Sequence, residues 1–225
     1  MKKSNLLLLG TFGTLLLLLL GLHLMVAARF KSGQYKILSD DAWMADFTWM
    51  PLAPAKVIEI KDINDVQVYS AADAKWGVEK DNDGNLKTKR VGDTVRIWNG
   101  AKDSPMRLHL FVDSNTQLNA DGCSLTFEGP KQNGPVILKA RLNKSVIALR
   151  TFENDSTHVD VLYVDAFNNS TVDLHKSSVN RASINMRNSR LISEKATVHQ
   201  LTLEADDASK IQISSQQLHL LQAKQ

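Results

Sequence analysis

The chain has 225 residues, 43% of them hydrophobic and 23% charged, the composition of one globular domain and not of a disordered chain. Of its 27 Lys and Arg, Lys2, Lys3 and Arg29 lie in the first 29 residues beside no acid, so residues 30–225 carry 24 basic against 24 acidic side chains. A neutral domain lacks the clustered basic excess that phosphate neutralisation demands, which excludes nucleic acid as a partner, and the single Cys123 excludes an intramolecular disulfide and a thiolate zinc cluster.

In chain order, Leu6 to Val26 is an apolar run whose only ionisable side chain is His23. As a helix it is long enough for a hydrocarbon core of about 30 Å, so residues 1–28 are read as a signal anchor or transmembrane helix. A cleavable signal peptide is the rival, with Lys2-Lys3 as its charged start and Val26-Ala27-Ala28 as its cleavage stretch. Flanking charge does not set the direction, because Arg29, Lys31 and Lys36 balance Lys2 and Lys3. The short MKK start favours export, which predicts a single pass of the inner membrane with the domain in the periplasm, or a secreted domain after cleavage.

Residues 29–56 read as a juxtamembrane stalk. Ser39 followed by Asp40 and Asp41 predicts a helix start, with a short amphipathic helix to about Trp49 that Pro51 stops. The aromatics Trp43, Phe47 and Trp49 either sit among lipid headgroups or pack on the base of the domain.

From Val57 the pattern changes to short alternating runs: Val57–Ile60, Val66–Tyr69, Val91–Trp98 and Leu108–Val112. Asp81-Asn82-Asp83-Gly84-Asn85 resembles a calcium loop, but an EF-hand beginning at Asp81 needs glycine and glutamate where Leu86 and Gly92 stand, so a turn at Asp83-Gly84 is the better reading.

Beyond residue 158 the sequence repeats every 19–20 residues. Val159, Leu162, Val164 and Ala166 recur as Val179, Ala182, Ile184 and Met186, then as Val198, Leu201, Leu203 and Ala205. Ser170 and Val172 recur as Ser189 and Leu191, then as Ser209 and Ile211, and Ser145–Leu149 is a less regular upstream copy. A turn of this length cannot bury its apolar face alone, but stacked turns can. The fold expected is therefore all-β: a right-handed parallel β-helix over 57–225, preceded by the N-terminal transmembrane helix. Val164, Ile184 and Leu203 should stack inside one face and Val172, Leu191 and Ile211 inside another, with Ser170, Ser189 and Ser209 laddered at a corner beside Asn169 and Asn188. An antiparallel sandwich alternates too, but gives no reason for one fixed offset.

These runs, with Asp121-Gly122-Cys123-Ser124 and the Asn/Ser-cornered turns, resemble the head GIN domain of putative auto-transporter adhesins over about residues 57–215. The resemblance implies an exported right-handed β-helical domain of a Gram-negative envelope, with no catalytic residues to carry over.

No phosphate loop, dinucleotide fingerprint, zincin pair or nucleophile elbow occurs, and the histidines His109, His158, His175, His199 and His219 show no ligand spacing and read as single surface residues. No catalytic, cofactor or metal residues are assigned. A polysaccharide lyase or hydrolase would need convergent carboxylates or a carboxylate with a cation, and the repeat offers two outward rows: Asp165, Asn185 and Glu204, and Thr171, Arg190 and Lys210. Residues 128–225 hold only Phe152, Tyr163 and Phe167 of the 14 aromatics, which weighs against a lectin-like repeat face. The reading is a membrane-anchored, exported, non-enzymatic binding or scaffold module, adhesin-like, for an envelope or host protein or a glycan. The alternative is a polysaccharide-active enzyme.

Overall fold

From Arg107 onward successive strands of this chain alternate between two sheets, so each turn of the repeat lays one rung on each. The structure, a computed structural model, describes residues 11–16, 18–25, 42–52, 54–101, 105–130, 134–150 and 157–217. Among them the strands are β1 (Phe47–Pro51), β2 (Val57–Lys61), β3 (Asp65–Ser70), β4 (Lys75–Glu79), β5 (Leu86–Val91), β6 (Thr94–Asn99), β7 (Arg107–Val112), β8 (Gln117–Asp121) and β9 (Ser124–Pro130). They continue as β10 (Ile137–Asn143), β11 (Val146–Leu149), β12 (His158–Phe167), β13 (Thr171–Asp173), β14 (Ser178–Arg187), β15 (Arg190–Ser193), β16 (Thr197–Ala205) and β17 (Lys210–Ile213). One sheet runs β1-β4-β7-β3-β9-β11-β13-β15-β17 and the other β16-β14-β12-β10-β8-β2-β6-β5.

The expected right-handed parallel β-helix behind a transmembrane helix is not what the structure shows, on two counts. Both sheets are mixed: β1 with β4, β4 with β7, and β5 with β6 pair antiparallel, while the remaining ladders are parallel. Connection length accounts for β5 and β6 alone, because a short link closes a hairpin, whereas β4 pairs antiparallel with β1 and β7 across long links. Only Gly92 and Asp93 separate β5 from β6, and Gly92 takes the positive φ of 59° that a tight turn favours there. The second count is the N-terminal helix. Residues 11–16 and 18–25 are helical, but among the described residues no helix is long and apolar enough to cross a membrane. The single-pass inner-membrane placement falls with it. The proposed cleavage stretch Val26-Ala27-Ala28 and the helix start Ser39-Asp40-Asp41 lie outside the described residues, as do Phe152 and His219.

The expected internal stacks are present. Val164, Ile184 and Leu203 pair in parallel register, as do Val172, Leu191 and Ile211, the latter row continuing backwards through Ile147, Leu125, Val66 and Leu108. Most of these side chains join one buried cluster fed by both sheets. Burial loosens at the last rung, where Leu203 is half-buried and Ile211 is 40% exposed.

The corner serines ladder as expected. Ser145 Oγ accepts from Cys123 N at 3.0 Å, Ser170 Oγ from Ser145 N at 3.2 Å and Ser209 Oγ from Ser189 N at 3.2 Å, while Ser170 Oγ donates to Phe167 O at 2.6 Å. Asn168, Asn169 and Asn188 hold the positive φ of these corners, a conformation asparagine tolerates better than most residues. The Ser145, Ser170 and Ser189 hydroxyls donate to backbone carbonyls and the Ser209 hydroxyl donates to Asp206 Oδ1 at 2.6 Å, so each is taken up in its corner.

Met1–Ala45 and Asp46–Gln225 form two compact units. The helix expected up to Trp49 is instead a 3-10 turn, Ala42–Asp46, followed by strand β1, whose Phe47–Pro51 backbone is taken up in ladder with β4.

Candidate binding face

Alternation puts every second residue of β10, β12 and β14 on the outside of the eight-stranded sheet, and the parallel register aligns them in rows. Lys139, Tyr163 and Ser183 form one row; Arg141, Asp165 and Asn185 the next; Asn143, Phe167 and Arg187 the third. The inward neighbours Ala140, Val164, Ile184, Leu142, Ala166 and Met186 are buried, which holds the three strands rigidly beneath the grid. Tyr163 is 47% exposed and borders a shallow open depression of about 290 Å3 with Lys139, Gln117, Asp165, Ser183 and Asn185. Phe167, half-buried, lies under the Arg141 guanidinium, whose Cζ is 5.3 Å from the ring centroid, a cation–π distance. Arg141 therefore leans along the strand toward Phe167 although Asp165 is its register partner. Among the described residues, neither Lys139, Arg141 nor Arg187 has a carboxylate within ion-pair distance.

The expected row Asp165, Asn185 and Glu204 is in place on β12, β14 and β16, in register. Both carboxylates are exposed on an open face, two strand spacings or about 9.6 Å apart. The second row, Thr171, Arg190 and Lys210, is also in register, but on the nine-stranded sheet. Carboxylates and cations of the two rows thus belong to different sheets, and the pairing that an acid–base enzyme of this kind needs does not form from them.

A second outward cluster lies on the nine-stranded sheet and was not legible as such in the sequence. Tyr69, His109 and Phe111 face away from the core stack on β3 and β7, yet they are 2%, 4% and 4% exposed. The cover is β1: Phe47 meets the His109 ring edge-on at 4.4 Å between centroids, and Trp49 meets Phe111 at 5.6 Å. Trp49 reaches them across Gly77, where an added Cβ would stand 2.6 Å from its ring. Lys75 Nζ caps the group, 5.1 Å from Trp49 and 4.8 Å from Phe111. The Tyr69 hydroxyl donates to Gln67 Oε1 at 3.0 Å and stands 3.2 Å from His109 Nδ1. Burial, with a smaller push from Arg107, lowers the His109 pKa to about 4, against a partial upward pull from Asp65. Burial also raises the Tyr69 hydroxyl far above its ordinary value, helped by the Glu128 carboxylate. The surface histidine expected at 109 is thus a buried, neutral one. The other described histidines differ: His158 contacts Asp160 at 3.3 Å, His175 sits in a turn with φ of 46°, and His199 is exposed.

No protein-family model matches the chain, and no curated protein matches it in sequence. Among solved structures it is similar to a putative adhesin from Parabacteroides merdae, at 12% identity and a TM-score of 0.47, over 74% of this chain and 80% of that one. A putative adhesin from Bacteroides fragilis is similar at 6% identity and 0.43, over 74% and 95%. A putative cell adhesion protein from Clostridium sporogenes is similar at 10% identity and 0.32, over 75% and 98%. No residue assignment passes from these structures to this chain.

Proposed function

We propose that this chain is a non-enzymatic binding or scaffold module, adhesin-like, in which residues 57–225 supply the binding domain and the outer face of the eight-stranded sheet is the contact surface. The observation that carries the reading is the grid on β10, β12 and β14: an exposed tyrosine, a cation-capped phenylalanine and three cations with no carboxylate within ion-pair distance among the described residues, on an open sheet. Such a face suits a broad contact, whereas catalysis favours a concave site with convergent titratable groups. Membership of the head GIN domain family and an envelope setting are part of the same proposal. Their support is the Asn/Ser-cornered repeat over residues 57–215, and no catalytic residue is assigned with them.

The test incubates the full chain with envelope and host polysaccharides and with envelope protein. Saturable binding without new reducing ends or unsaturated products, weakened by Arg141→Glu or Tyr163→Ala, is the expected result. Turnover that disappears in Asp165→Ala or Glu204→Ala would overturn it in favour of a polysaccharide-active enzyme.

A further inference from the structure

Resting on that reading of the face, we infer that its ligand is an acidic polysaccharide, a glycan carrying uronic acid carboxylates, bound along β12. Tyr163, Asp165 and Phe167 point outward from one strand, so the two rings lie about 13 Å apart with a carboxylate between them. Aromatic faces suit the C–H faces of sugar rings because both are flat and weakly polar. Tyr163 is the open platform, while Phe167 seats the Arg141 guanidinium farther along the same strand, and a site that runs from ring to charge over that distance fits an extended chain of sugar rings better than a single small molecule. Asp165 between them is an acceptor for hydroxyl groups.

Charge selects the acidic class. Lys139 flanks Tyr163 on the neighbouring strand, Arg141 lies over Phe167, and Arg187 flanks Phe167 on the other side. These three cations face one carboxylate in the grid, and among the described residues no protein acid neutralises them within ion-pair distance. Asp121 and Glu204 lie on the strands next to the grid, opposite Asn143 and Asn185 and not opposite a cation, and Asp121 is engaged by Asn143 Nδ2 at 2.7 Å. Guanidinium pairs planar carboxylates through two parallel N–H donors, so Arg141 and Arg187 match uronate geometry and not merely negative charge. The scarcity of aromatics in the repeat argued against carbohydrate, but two of the three present share one face of one strand.

Affinity electrophoresis of the full chain through gels containing alginate, a polyuronate, or dextran, a neutral glucan, tests this. Alginate should retard the chain and dextran should not, and raising the salt should weaken the retardation. Tyr163→Ala and Arg141→Gln should each weaken alginate binding about tenfold, with Tyr163→Phe retaining most of it. Equal retardation by dextran, no retardation by either, or alginate binding indifferent to Tyr163→Ala would overturn the inference. Binding to envelope protein that Tyr163→Ala abolishes, without alginate binding, would overturn the glycan and leave the face as the contact surface. Absence of every Tyr163-dependent interaction would remove the face itself.

Discussion

Two outward aromatic clusters on the same protein meet opposite fates. On the nine-stranded sheet Tyr69, His109 and Phe111 are covered by the chain's own β1, and their polar atoms are bonded to one another. On the eight-stranded sheet Tyr163 is exposed and Phe167 half-buried beneath a guanidinium, and among the described residues the three cations beside them have no carboxylate within ion-pair distance. Large aromatics on an outer sheet face must be accounted for in either way: by a strand of the same chain, which makes them structure, or by something external, which makes them a contact surface. The comparison assigns each cluster by what lies over it and not by its composition.

The largest effect that would break this comparison is in stability. Phe111→Ala should cost about 3–5 kcal/mol in denaturant unfolding because the ring is buried, while Phe167→Ala should cost far less. Equal costs would mean the two clusters do not differ in cover. The next effect concerns pH. His109 has its folded pKa lowered to about 4 from an unfolded value near 6.5, so the native state refuses a proton that the unfolded state accepts. Stability from this group is full above about pH 6.5, falls as pH drops toward 4, and levels off below. The loss is of order 3 kcal/mol at about 1.4 kcal/mol per unit, and His109→Gln should remove that component from the pH profile of unfolding. A smaller effect comes from Gly77→Ala, which drives a Cβ into the Trp49 ring at 2.6 Å and should destabilise by about 1–3 kcal/mol. Smallest of all, Arg141→Gln on the open face should change unfolding by no more than about 0.5 kcal/mol while still weakening alginate binding, which separates a contact role from a structural one.

The sequence made one part of this legible and hid another for physical reasons. Val164, Ile184 and Leu203 were readable as a stack because the strand spacing converts a constant offset of 19–20 residues into one column. Asp165, Asn185 and Glu204 followed from the same arithmetic. The row through Lys139 and Arg141 did not, since Lys139 pairs with Tyr163 at an offset of 24, outside the period. The antiparallel strands were not separable either: β4 and β5 need no different residue types from a parallel rung, and only β5 has a short link to its partner that marks its direction. Phe47–Pro51 read as the end of a helix because its aromatics fit an amphipathic turn as well as a strand; pairing with β4 and the space over Gly77 decide it. The apolar run from Leu6 fits a membrane span by length, but the described helical residues, 11–16 and 18–25, do not make one.

The central claim, that the grid around Tyr163 is open for a ligand while the cluster around Tyr69 is closed, is tested most directly by tyrosine nitration with residue-level mass spectrometry. With the full chain alone, Tyr163 should react and Tyr69 should not, as their exposures of 47% and 2% require. At saturating alginate, Tyr163 should become protected and Tyr69 should be unchanged. Nitration of Tyr163 that persists at saturation would contradict the account, as would reaction of Tyr69 in the native chain.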